Sequence, residues 1–210
     1  MTHTDISELA EELRRELTEQ SRFSAVVDCL MVQSANTPEN QDDLLQWIED
    51  NNSLLDPLVY FQEATTANRT DPVKRANSVL RNGFSVQNLV FDMNSPPNWS
   101  QLVSETRNIR YKLHSWVLLD PLLCADEVAE GNEYLMKAIN IANDWIEHFI
   151  IAGEKDEFAW YDMGVGQRAT KLPYMLRRLI EIKGDSEIIS NFIIASEIHI
   201  SELSQEERVA

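Results

Sequence analysis

Basic side chains are scarce in this chain of 210 residues: 18 Lys and Arg stand against 35 Asp and Glu, a formal net charge of −17. Nucleic-acid binding and adhesion to anionic membranes both need basic groups facing phosphates, so the composition argues against either partner. An acidic ligand would need a local basic island in a repulsive field. Cysteine is nearly absent too. Cys29 and Cys124 fall in apolar helical stretches without metal-ligand spacing, which reads as two buried thiols and is compatible with the cytoplasm. No run of about 18 uncharged apolar residues occurs, so no membrane span is expected. The first residues, MTHTDISELAEELRRELTEQ, contain no apolar core of a secretory signal, which gives a cytoplasmic expectation.

Motifs for metal, cofactor or nucleophile chemistry are missing as well. His3, His148 and His199 have no carboxylate or histidine partner at ligand spacing, so neither a metal nor a cofactor is expected. Gly164-Val165-Gly166 lacks the Lys-Ser/Thr sequel of a phosphate loop, and no Ser or Cys sits in a nucleophile elbow. A 34-residue helical repeat is also absent.

What the chain has is helical periodicity almost throughout. Ile6, Leu9, Leu13 and Leu17 line one face of a helix over 5–20, and further helices are expected over 23–32, from Thr37-Pro38 to about Glu49, and over 54–67. Asp71 ahead of Pro72 starts another, running to Leu80. Arg81-Asn82-Gly83 breaks it, 86–91 reads as short and extended, and the Pro-containing loop 94–98 leads to Trp99 as an anchor. Four strong helices follow. The spacing predicts one over 105–129, kinked or split by Pro121, and one over 132–152 with Leu135, Ile139, Ala142, Trp145, Ile146 and Phe149 on its apolar face. A third spans 165–183 and closes at Gly184 as the C′ residue; the fourth spans 185–203. Apolar faces this wide on hairpin-linked helices require burial, so the expected fold is all-α, built of helical hairpins.

Two groups of residues invite a chemical reading. Tyr111 and His114 lie three apart on one helix, where they can act together as acid and base or simply pack and hydrogen-bond. The stretch FAWYDMGVGQR places Trp160, Tyr161 and Arg168 around two glycines. Aromatic faces stack on the C–H faces of sugar rings, and an Arg fork binds a carboxylate bidentately, so these three suit an acidic polysaccharide. The alternative is that Trp160 plugs the core and Arg168 pairs with Asp162 or a helix end.

The order Trp99, Leu113-His114-Ser115-Trp116, Asn143-Asp144-Trp145-Ile146, Ala159-Trp160-Tyr161 and Arg168 resembles the N-terminal helical domain of heparinase II/III-like polysaccharide lyases, over roughly residues 70 to 205. The resemblance implies part of an (α/α) toroid, with inner helices lining a cleft for glycans that contain uronic acid and an antiparallel β-rich domain after it. It implies β-elimination, in which Asn or His neutralises the uronate carboxylate and Tyr or His moves the proton. Here the chain departs from the pattern. It contains no Asn-His dipeptide, the tyrosine and histidine of the β-domain are missing, and Pro121 interrupts the Trp116 helix. No catalytic residue can therefore be assigned.

The resulting expectation is an N-terminal helical segment at 1–69, a toroid portion at 70–205 and a polar tail at 206–210. Trp160, Tyr161, Arg168, Tyr111 and His114 would bind substrate without completing the chemistry. A non-catalytic module that binds carbohydrate or protein is the alternative. An incomplete toroid would leave an apolar edge at Ile193, Ile194 and Ile198, to be covered by self-association or by the missing β-rich domain.

Overall fold

The computed structural model describes residues 71–203; the helices expected within 1–69 (with Cys29) and the tail at 206–210 lie outside the described residues. Among the described residues the chain forms six α-helices, two short strands, two 3₁₀ turns and one π-helical turn.

Helix α1 spans Pro72–Asn82, and Asp71 caps it as its sequence suggests: Oδ1 accepts from the amides of Val73 at 3.0 Å and Lys74 at 3.3 Å. Gly83 ends the helix at φ 79°, and its amide donates to Val79 O at 2.8 Å. A Cβ here would stand 2.4 Å from Val90 Cγ1 and 2.8 Å from Phe91 O, so only glycine fits. The segment expected to be extended is an antiparallel hairpin. Strand β1, Phe84–Val86, pairs with β2, Leu89–Phe91, through Phe84↔Phe91, Ser85↔Val90 and Val86↔Leu89. Gln87 turns the corner at φ 54°. Trp99 is buried at the start of a 3₁₀ turn, Trp99–Ser104, as expected of an anchor.

The long helix expected over 105–129 is split, but not at Pro121. Helix α2 covers Arg107–His114 and ends where Trp116 adopts a left-handed conformation, φ 58° and ψ 25°. That conformation costs a bulky residue about 1–2 kcal/mol, which the burial of its ring against Trp145 offsets. A 3₁₀ turn, Val117–Leu119, leads to α3, Asp120–Asp126, where Pro121 occupies the first turn and its missing N–H leaves nothing unsatisfied. Helix α4 spans Glu133–Ile146 and runs into a π-helical turn, Glu147–Ile151. Its expected apolar face is buried, including Leu135, Ile139, Ala142, Trp145 and Ile146.

Helix α5, Asp162–Glu181, starts three residues before the expected Val165 and contains Pro173; α6 spans Ser186–Leu203 behind an Asp185 cap that accepts from Glu187 N at 2.8 Å. The C-terminus of α5 differs from expectation in one detail. Lys183, not Gly184, takes the left-handed C′ position at φ 53°. Its amide donates to Ile180 O at 3.0 Å while that of Gly184 donates to Leu179 O at 2.8 Å, the paired bonds of a Schellman cap with glycine one place later. Gly184 is needed there for space, because a Cβ would lie 2.8 Å from Leu179 Cδ2 and 3.2 Å from Leu179 O.

The chain divides into two compact units. The described part of one comprises 71–145 and 155–168, and that of the other 146–154 and 169–203. In the second, Ile193, Ile194 and Ile198 are buried, which corrects the expectation that they form an open apolar edge. No helix among the described residues is long and apolar enough to cross a membrane.

The cap geometry sets the sign of two substitutions. Gly184→Ala is expected to lower unfolding stability by about 1–3 kcal/mol through overpacking against the buried Leu179. Lys183→Gly removes a left-handed backbone cost of about 1 kcal/mol and is expected to hold or raise the melting temperature. Equal drops in thermal melting would contradict this cap.

Candidate functional site

The first unit is organised around a turn and a guanidinium. Asp156 Oδ1 accepts from Phe158 N at 2.8 Å, and Asp156 O accepts from Ala159 N at 3.1 Å. This tight turn sends Phe158, Ala159 and Trp160 into the interior. Arg168 lies two turns into α5, and side chains on a helix lean toward its N-terminus. Its guanidinium therefore reaches back across the helix start, where Nη1 donates to His114 O and Nη2 to Ala159 O, each at 2.5 Å. Cζ lies 4.1 Å from the Trp145 ring centroid and 5.7 Å from that of Trp160. The aromatic cluster continues through Trp116, edge-on to Trp145 at 5.5 Å.

His114, the last residue of α2, is buried with no accessible surface. It lies between Trp99, with ring centroids 5.9 Å apart, and Trp145, at 6.5 Å. Trp145 Nε1 donates to His114 Nδ1 at 3.0 Å. An indole N–H can only donate, so His114 Nδ1 accepts and the ring proton of the neutral form sits on Nε2. That nitrogen faces Asp156 Oδ2 at 3.5 Å. Arg110 completes the group, with Nη2 2.7 Å from Asp156 Oδ1 and Nη1 3.1 Å from Glu157 Oε1. Trp99 in turn donates to Asp144 Oδ2 at 2.5 Å.

Burial decides the charge states. It pulls the Arg168 pKa down to about 9, which leaves the group cationic at neutral pH. Burial also pushes the His114 pKa below its ordinary value; Asp156 opposes this and the two neighbouring arginines, Arg168 and Arg110, add to it. For Asp156 burial acts upward but is outweighed by the facing His114 ring and by hydrogen bonds from Phe158 N and Arg110, so its carboxyl stays well below the usual range and ionised. The arrangement is a neutral imidazole with its N–H facing a carboxylate that Arg110 neutralises.

An outer layer sits over this core. Tyr111 and Tyr161 are half-buried and meet edge to face with centroids 6.2 Å apart. Exposed Arg107 reaches over from α2 and donates through Nη2 to Tyr161 Oη at 2.8 Å, with Cζ 5.2 Å from that ring. Phe158 supports Tyr161 from behind at 5.9 Å and carries the Arg110 guanidinium 4.4 Å from its centroid. Among the described residues Arg107 meets no carboxylate within ion-pair distance, whereas Arg110 meets two.

The five residues singled out in the sequence thus separate into two layers. Trp160, Arg168 and His114 are interior, with Trp160 only 9% exposed, while Tyr111 and Tyr161 share the outer shelf. Arg168 presents its fork to two main-chain carbonyls rather than to an open cleft, because α5 begins early enough to place it behind the Trp160 turn. Tyr111 and His114, three apart on α2, diverge: one ring joins the shelf and the other the core. Arg107, Arg110 and Asp156 escaped the sequence reading. The signal for the arginines was their spacing, since Arg107 precedes Tyr111 by four and Arg110 precedes His114 by four. No group of three His, Cys, Asp or Glu among the described residues is placed to hold a metal ion.

Compared with known protein families, with curated proteins and with solved structures, the chain matches none.

Acid titration tests the buried group. A folded pKa depressed below the ordinary 6.5 of histidine means that the unfolded chain binds the proton more readily, so stability is full above 6.5 and falls as pH drops through the folded pKa. Asp156, also depressed, adds a loss at lower pH. Urea midpoints measured from neutral pH downward are expected to fall below pH 6.5 in the parent and to fall less in His114→Gln. Parallel curves for the two proteins would overturn the assignment of a buried neutral imidazole.

Proposed function

We propose that this chain is a non-catalytic helical module that binds an acidic glycan on the shelf formed by Arg107, Tyr111 and Tyr161. The observation that carries the reading is the exposed Arg107 guanidinium, held against the Tyr161 hydroxyl and free of carboxylate partners among the described residues, in a chain of net charge −17. Cations in such a chain are readily paired, as Arg110 is. A positioned and unneutralised one beside two tyrosine rings matches the needs of a uronate: ring faces for the sugar and a planar fork for its carboxylate. Trp160, Arg168 and His114 serve this surface from beneath, by fixing the turn that carries Tyr161 and the helix that carries Arg107 and Tyr111.

The proposal extends to architecture and ancestry. The module is the substrate-binding portion of an (α/α) toroid like that of the heparinase II/III-like lyases, with a β-rich domain or a second copy as its complement. What supports this is that the spaced residues of the resemblance, Trp99, His114, Trp116, Trp145, Trp160 and Arg168, belong to one connected cluster. Binding is separated from chemistry in this reading, because the imidazole of His114 is buried beneath the shelf rather than beside the bound sugar.

Titration with uronate oligosaccharides at low and moderate salt tests the shelf. Arg107→Ala is expected to weaken binding roughly tenfold or more, since a charged hydrogen bond is worth about 1.5–3 kcal/mol, and to leave the melting temperature close to that of the parent. Trp160→Ala is expected to cost about 3–5 kcal/mol of stability. Binding unchanged in Arg107→Ala, or absent in the parent at low salt, would remove the shelf as the site.

A further inference from the structure

The first unit carries a second open surface, a groove of about 350 Å³ beside the hairpin. Strand β2 forms one wall, and the loop holding Pro96 and Pro97 forms the other; Asp92 and Glu105 are the charged groups on its lining. The hairpin has only two strands, so each has an outer edge. In an antiparallel pair closed by a two-residue turn, the residues flanking the turn exchange hydrogen bonds and the next pair faces outward. Val86↔Leu89 and Phe84↔Phe91 are therefore the bonded pairs, and Ser85↔Val90 points its amides and carbonyls away from the partner strand. Val90 is 62% exposed, and no hydrogen bond within the described residues engages its main chain.

The surroundings hold this edge open and in place. Pro96 and Pro97 have no N–H, so the opposite wall supplies no donor there to satisfy the strand. Asn94 ties the loop down: its amide and its Nδ2 donate to Asp92 Oδ1, each at 2.9 Å, and Nδ2 also donates to Leu80 O at 3.0 Å. On the other side, Thr106 Oγ1 donates to Gln87 Oε1 at 3.2 Å, which fastens the hairpin turn to the start of α2. Gly83 seats Val90 against the end of α1. A pre-set strand edge beside an apolar groove is the geometry of strand addition, in which main-chain bonds give affinity and alternate side chains give selectivity.

We infer that the groove beside β2 docks an extended segment of a basic, β-branched peptide from a partner protein, added antiparallel or parallel to Leu89–Phe91. The charge of the occupant follows from the lining, which among the described residues offers two carboxylates and no base; Lys137 stands outside it, donating to Asn94 Oδ1 at 3.1 Å. At this groove, lined by Asp92 and Glu105, a second copy with its own net charge of −17 is a poorer occupant than a basic segment. The groove lining shares no residue with the shelf of Arg107, Tyr111 and Tyr161, so the two assignments are tested by different substitutions.

A labelled short peptide of alternating Lys and Val serves as probe, read by fluorescence anisotropy with the full chain. Its N-methylated counterpart keeps the charges and side chains but loses alternate amide donors, and the account expects roughly a tenfold weaker interaction. Val90→Pro removes the outward donor while sparing the hairpin ladder, and the same loss is expected with the helical circular dichroism unchanged. Asp92→Asn with Glu105→Gln is expected to weaken binding and flatten its salt dependence. Equal binding of the N-methylated peptide would reduce the interaction to bulk charge attraction and overturn strand addition. A concentration-dependent dimer that Val90→Pro disperses would assign the edge to a second copy and likewise overturn the inference.

Discussion

Removing the Arg168 guanidinium from water is costly unless its charge and donors are met, and much of the first unit is arranged to meet them. Two ring systems, Trp145 and Trp160, flank the cation, and two carbonyls accept from its fork. One of those carbonyls belongs to His114 at the C-terminus of α2, where unsatisfied carbonyls and the helix dipole both favour positive charge. The other belongs to Ala159 in the turn ahead of α5. Through a single side chain, segments 54 and 9 residues away in sequence are fixed to the start of α5. The left-handed backbone at Trp116 belongs to the same arrangement, because it ends α2 at the residue whose carbonyl Arg168 needs and turns the next ring onto Trp145.

Helix α2 mediates between this core and the surface. Arg110 and His114 point inward to Asp156, while Arg107 and Tyr111 join Tyr161 outside. The inner pair consumes its charge: a neutral imidazole and a paired guanidinium meet one carboxylate. The outer pair keeps its charge available. Among the described residues Arg107 meets no carboxylate, and the buried network holds its helix in position.

How far the sequence foretold this depended on the range of the interaction involved. Caps are local, so the Asp71-Pro72 start was legible from adjacent residues, whereas Asp185, read as the first residue of the last helix, caps it from one place outside. Gly184 was legible as a terminator but not as a C″ residue, since the choice between two adjacent left-handed positions rests on contact with Leu179. Pro121 announced a break yet marked only the start of α3; the break at Trp116 came from ring packing with Trp145, a partner on another helix. For the site, spacing identified Tyr111, His114, Trp160, Tyr161 and Arg168 as a group worth attention. Periodicity gives the face of a helix and not the depth at which a long side chain ends, so it could not tell that Arg168 turns inward while Arg107 stays out.

The central claim is that Arg168 organises the core through a planar fork rather than through charge alone. Arg168→Lys keeps the charge and much of the length but cannot serve both carbonyls while stacking on Trp145. Urea unfolding of the two full-length proteins, followed by tryptophan fluorescence at neutral pH, separates the possibilities. The account predicts a loss of about 2–5 kcal/mol with the fluorescence of the folded state altered. An Arg168→Lys protein that unfolds at the parent midpoint with the parent spectrum would contradict it.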